Sequence, residues 1–127
     1  MRVFSKTILT ILALAGLAGT TAAQAAGAIA IGKCDRYGYS YGSPSPAAAA
    51  GRALAECRAN GDGTCQVVVR IRNACGAFAV AGPGGCRARG WAYAGSRGAA
   101  ENLAVGQCRK YGGGDCHVQA WVCDGGP

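Results

Sequence analysis

The chain has 127 residues, with 13 Lys and Arg against 6 Asp and Glu, for a formal charge of +7. One domain is the natural count at this length, and the positive charge is too thinly spread for the dense basic stripe of a nucleic-acid binder. Its 8 cysteines include no Cys-x-x-Cys pair, which removes the commonest zinc-site spacing; no metal or cofactor is expected.

The first element is an address. Arg2 and Lys6 precede an apolar run over residues 8–18, and Ala23-Gln24-Ala25 supplies a small-x-small cleavage pattern. Residues 1–25 read as a secretory signal peptide. The run falls short of the ~18 apolar residues that cross a bilayer, so no membrane span is expected after cleavage. The remaining domain, 26–127, would be secreted or periplasmic. Without Arg2 and Lys6 it keeps 11 basic residues against 6 acidic, a net +5.

The domain itself reads as one unit written twice. A short apolar strand is expected over residues 28–32, followed by an aromatic strand, Tyr37-Gly-Tyr-Ser-Tyr41. Ser45 is a good N-cap and Pro46 suits the first helical position, so a helix is expected from there to about Cys57. Its face would carry Ala47, Ala50, Leu54 and Cys57, three and four residues apart. Asn60-Gly61 stops it. Residues 66–72 alternate as a strand, with Val67, Val69 and Ile71 on one side and Gln66, Val68, Arg70 and Arg72 on the other. Residues 77–81, 90–93, 96–108 and 117–123 repeat the order, with Ala100, Leu103 and Ala104 on the second helix face. Each unit is ββαβ, the first over about 27–75 and the second over about 76–123. The fold class expected is α+β: two tandem repeats, antiparallel sheet and two short helices. Either half is too small for an ordinary core, so the two must share one.

Residues 26–127 contain only 13 Leu, Ile, Val and Phe, against 21 Ala and 20 Gly. At ~25 cal/mol per Å² such side chains bury too little area to offset chain entropy alone. In an exported chain an even cysteine count reads as a disulfide framework. Cys57–Cys65 and Cys108–Cys116 repeat the same spacing and would tie each helix end to the next strand. Pseudo-symmetry offers Cys75–Cys123, each read as ending the last strand of its unit, and Cys34–Cys86 as bridges across the units. Eight cysteines nevertheless allow 105 connectivities.

Gly27-Ala-Ile-Ala-Ile31, Gly38-Tyr-Ser-Tyr41, Ala53-Leu-Ala-Glu-Cys57, Cys65-Gln-Val-Val-Val69, Asn73-Ala-Cys-Gly-Ala77 and Cys116 to Cys123 together resemble a bacterial exported family, domain of unknown function 4189, over essentially the whole domain. The resemblance implies export and no particular activity. It also marks Cys34 and Cys86 as additions to the family's usual six cysteines.

Gly38-Tyr-Ser-Tyr-Gly42 is a literal Gly-x-Ser-x-Gly, the pattern of a hydrolase nucleophile elbow. That elbow needs a helix directly after the serine, and here Gly42-Ser-Pro-Ser-Pro46 intervenes. In the second copy Ala92 replaces Ser40. Glu56 and Glu101, the two glutamates, stand at non-equivalent helix positions and make no glycosidase pair. The glycine runs 82–85 and 112–114 lack the Lys and Ser/Thr of a P-loop. One surface remains: the outward faces of the last strands, with Arg70 and Arg72 from one copy and His117 and Trp121 from the other. Arginine beside exposed aromatics suits protein or anionic-polymer contact. The leading reading is a non-enzymatic, disulfide-stabilised binding module of the cell envelope or extracellular space. Its alternative is a small envelope hydrolase built on His117 with Ser40 or a carboxylate, with Asp115 or Asp62 to orient the ring.

Overall fold

The computed structural model describes residues 25–60 and 63–126. The expected leader lies outside them but for Ala25, and so does Asp62. Eight regular elements follow in order: β1 (Ala26–Ile31), β2 (Tyr37–Ser43), α1 (Pro46–Ala59), β3 (Gln66–Arg72), β4 (Cys75–Ala81), β5 (Ala88–Ala94), α2 (Arg97–Lys110) and β6 (His117–Cys123). This is the α+β fold of two ββαβ units.

The strands form two antiparallel three-stranded sheets, in the orders β2-β1-β3 and β5-β4-β6. One sheet belongs to each unit. The sheets pack face to face through Ile29, Ile31, Val69, Ile71, Phe78, Val80, Ala120 and Val122, so the main core is common to both units. Each helix covers its own sheet from outside. β3 lies beside β5 across the sandwich, and β2 beside β6.

The outer layers are made of small residues. Ala49, Ala53 and Cys57 of α1 meet Ala26, Ala28 and Ala30 of β1, and Ala100, Ala104 and Cys108 of α2 meet Ala77, Ala79 and Ala81 of β4. The buried stripe thus advances in steps of four, and the expected face is corrected: Ala47 and Leu103 are exposed and Leu54 sits at the flank. The reason is distance. A Cβ on Gly38 would lie 2.3 Å from Ala53 O, and one on Gly90 would lie 2.1 Å from Ala104 O. A helix seated that close leaves room for alanine and no leucine. Ser45 caps α1 as expected, its Oγ accepting from Ala48 N–H, and Ser96 caps α2 in the same way, its Oγ accepting from Ala99 N–H, each typically worth ~1 kcal/mol.

The alternation expected for β3 is broken once. Ile29 faces Val69 but Ala30 faces Val67, so Val68 is an extra, bulged residue. Val69 and Ile71 enter the shared core, while Val67 turns to the α1 side. β6 carries the same bulge between its partners Phe78 and Ala79.

Four disulfides brace this frame: Cys34–Cys86, Cys57–Cys65, Cys75–Cys123 and Cys108–Cys116. The two short loops contribute ~2.6 kcal/mol each on the chain-entropy model. The reading of Cys75 as the end of β3 is corrected: it opens β4, directly opposite Cys123. That bridge joins two strands of one sheet and not the two units. Cys34–Cys86 is the bridge that crosses between units. Beside it Asp35 N–H donates to Gly84 O at 3.1 Å, and Arg89 donates to Gly32 O.

Candidate functional site

Ser40 is in β2, opposite Ala28 and beneath α1. It is buried, and its hydroxyl donates to Ala49 O at 2.7 Å. The Gly-x-Ser-x-Gly serine is therefore a sheet-to-helix tie. His117 opens β6 in the other sheet, exposed and opposite Val80. Asp115 serves elsewhere: its carboxylate accepts from Gly82 N–H at 3.2 Å and from Arg87 at 3.1 Å. The Gly82 N–H chiefly, then its own backbone N–H and the Arg87 charge and hydrogen bond, hold this carboxyl below its ordinary range against an opposing desolvation effect. Ser40 and His117 thus stand in different sheets, with the serine hydroxyl engaged by α1 and Asp115 engaged by Gly82 and Arg87.

Tyr37, Tyr39 and Tyr41 stack along β2 with centroids 6.3 and 6.4 Å apart, and Tyr37 meets Phe78 at 6.3 Å. Burial pushes the Tyr37 phenol above its ordinary value, with Tyr39, Glu56 and Asp35 adding to the effect. Tyr37 and Tyr39 pack against the shared core, while Tyr41 is exposed.

The four residues expected to share one face are separated. Arg70 and Arg72 stand opposite Ala28 and Ala26 on the α1 face of the first sheet. Trp121 stands opposite Ala77 on the α2 face of the second sheet, half-buried, with the Arg97 guanidinium 3.8 Å above its ring. With the two sheets packed together, those faces point away from each other. The bulges and the sandwich pairing, invisible in strand alternation, decide this.

What gathers around Arg70 and Arg72 instead is Tyr93. An open groove of about 460 Å³ is lined by Val67, Val68, Arg70, Arg72 and Tyr93. Val67 and Val68 turn to opposite faces of their sheet, so the groove straddles the edge of β3. Tyr93 reaches it from β5, opposite Gly76, and is 67% exposed. Neither arginine is ion-paired among the described residues. A smaller hollow, lined by Gly27, Pro46, Arg70, Ile71 and Arg72, continues onto the outer face toward the start of α1. Farther along β5, Arg87, Arg89, Trp91 and Tyr111 line another open hollow. The side of the molecule where β3 and β5 run together is thus arginine-rich and aromatic. Sequence reasoning named the two arginines and missed Tyr93; its equivalence to Tyr41 through the repeat was the available signal.

Among the described residues no group of three or more His, Cys, Asp or Glu is placed to hold a metal ion, and no helix is long and apolar enough to cross a membrane. No curated protein and no solved structure matches the chain. A family model described as "Domain of unknown function (DUF4189)" matches residues 26–123, and with that match over most of its length the chain belongs to the DUF4189 family.

Proposed function

We propose that this domain is a non-enzymatic binding module working in the cell envelope or outside the cell, and that it captures an anionic partner in the groove of Arg70, Arg72 and Tyr93. One observation carries the reading: two unpaired arginines and an exposed tyrosine, from different units, converge on one open groove of a braced scaffold. Guanidinium groups with an aromatic neighbour recognise carboxylates and phosphates by charge-assisted, bidentate hydrogen bonds. The four disulfides support an oxidising compartment, as does the leader pattern of residues 1–25.

The test is retention of the domain, residues 26–127, on immobilised polyglutamate across a salt gradient. The double variant Arg70→Glu/Arg72→Glu should elute at markedly lower salt, Tyr93→Ala at intermediate salt, and Arg109→Glu, on the far end of α2, near the wild-type position. Coincident elution of wild type and the double variant would remove the groove from consideration. Loss of a measured ester- or glycan-hydrolysing activity on His117→Ala would restore the hydrolase reading.

A further inference from the structure

A sheet sandwich of this kind has four edge strands, and on three of them a group from outside the sheet takes up part of the outer row. At β2, Asn60 Nδ2 donates to Tyr37 O at 3.2 Å and Gly42 N–H donates to Asp124 O at 2.9 Å. At β5, Trp91 N–H donates to Gln107 Oε1 of α2 at 2.6 Å. At β6, Cys123 N–H donates to Gly126 O at 3.2 Å in an added bridge. β3 is different. Among the described residues, Gln66–Arg72 bonds to β1 on one side, and no hydrogen bond from another group reaches its second row of N–H and C=O. Edge strands left in this state are templates for another strand. The groove described above lies along this edge, and Arg70 and Arg72 line it.

We propose that β3 receives an extended acidic peptide segment as an added strand, with carboxylates at alternate positions opposite Arg70 and Arg72. This rests on the groove reading above and specifies its ligand. Strand side chains two apart share a face and stand ~6.8 Å from one another. The two arginines therefore present two charges at the period of a β-strand, and a paired strand puts its own i and i+2 side chains directly opposite. The residue between the carboxylates turns to the other face, where Val68 and Tyr93 offer apolar contact. The segment chemistry is acidic–apolar–acidic. The Val68 bulge confines regular pairing to residues 69–72, so a short segment suffices. A second copy of the chain is disfavoured as occupant: antiparallel self-pairing centred on Ile71 sets Arg70 against Arg72 of its mate, like charge against like.

The experiment uses fluorescein-labelled peptides with a Glu-Val-Glu core, read by anisotropy against the disulfide-intact domain. The Glu peptide should bind at least ten-fold more tightly than a Lys-Val-Lys counterpart. N-methylation of the peptide amides facing β3 should weaken binding at least ten-fold, while methylation of the alternate amides should not. In Arg70→Glu/Arg72→Glu the preference should reverse toward the Lys peptide. The methylated series runs on the unaltered protein, so it does not depend on the variant folding. Equal binding of both methylated series, with polyglutamate retention still lost in the variant, overturns strand addition and leaves the groove standing. Loss of both signals overturns both readings. A concentration-dependent dimer abolished by Arg70→Glu/Arg72→Glu overturns the proposed occupant in favour of self-pairing.

Discussion

Replacing Gly90 with alanine tests the packing principle of the whole fold. A Cβ there would stand 2.1 Å from Ala104 O and 2.5 Å from Cys108 N, where carbon and oxygen ordinarily keep ~3.3 Å or more. The obstacles are helix backbone, so no rotamer change relieves them; α2 must retreat by about 1 Å. That retreat opens the alanine layer of Ala77, Ala79, Ala100 and Ala104. Overpacking typically costs ~1–3 kcal/mol, and a backbone obstacle places Gly90→Ala at the upper end, ~3 kcal/mol. At ~4–8 °C per kcal/mol for a domain of this size, Tm should fall by ~12–24 °C, read by circular dichroism under non-reducing conditions. Gly38→Ala, whose Cβ would lie 2.3 Å from Ala53 O and 2.4 Å from Cys57 N, should match it in the other unit. Gly51→Ala and Gly106→Ala supply the control. Both sit inside helices with nothing within 4 Å of the new methyl, and each should gain ~0.5–1 kcal/mol. All four changes reduce unfolded-chain freedom alike, so opposite signs must come from the folded state. If Gly38→Ala and Gly90→Ala melt alongside the controls, close helix seating is not what organises the outer layers.

Three further outcomes are expected. Cys34→Ser/Cys86→Ser removes the inter-unit bridge, with a sequence separation of 52, and should lower stability by ~4 kcal/mol on the chain-entropy model in urea titration, with far-UV spectra unchanged. Ser40→Ala removes the side-chain donor to Ala49 O and should cost ~1 kcal/mol; Ser43→Ala deletes a buried hydroxyl that has no hydrogen-bond partner among the described residues and should be neutral or stabilising in the same titration. Asp115 has its folded pKa depressed, chiefly by Gly82 N–H, so its contribution is present above the ordinary carboxylate range and lost as pH falls through the folded value. The melting difference between wild type and Asp115→Asn should therefore shrink on acidification below about pH 4; both partners are more than half exposed, so the effect should be small.

Much of the architecture is written in local chemistry. Ser45-Pro46 and Ser96 announce helix starts because a hydroxyl cap and a fixed proline φ act within one turn. The repeated Cys-x7-Cys spacing marks the tie between helix end and strand, again a short-range matter. The expected site was less legible, for physical reasons. Strand alternation assigned Val67 to the core, but the bulge at Val68 reverses the faces within β3, and no residue in Val67-Val-Val69 distinguishes a bulged valine from its neighbours. Trp121 and Arg70 occupy matching places in their units, so the repeat suggested a common face. Packing the sheets face to face across the shared core turns those outer faces apart. Tyr93 joins the arginines only because β5 runs beside β3 across the sandwich, a pairing between units set by sheet packing.

The repeat also isolates where the two halves depart from each other. At the position of Arg70 the second unit has Trp121, half-buried beneath Arg97, whose guanidinium also pairs with Glu101. At the position of Arg72 it has Cys123, bonded to Cys75. The second unit therefore uses these two places for cohesion: a ring under a cation and a bridge across the sheet, with Gly126 folded back on the edge. The first unit puts in the same two places two arginines that are unpaired among the described residues, and leaves the edge beside them without hydrogen bonds from another group. The two units share one frame, and solubility alone would favour the closed version in both, since an open edge invites aggregation. Charged side chains are one way to protect such an edge, but a single arginine on each face would serve that purpose, and here both point to one side at strand period. The proposed charge-selective partner strand would account for the asymmetry, because two arginines on one face repel a basic strand as well as attract an acidic one.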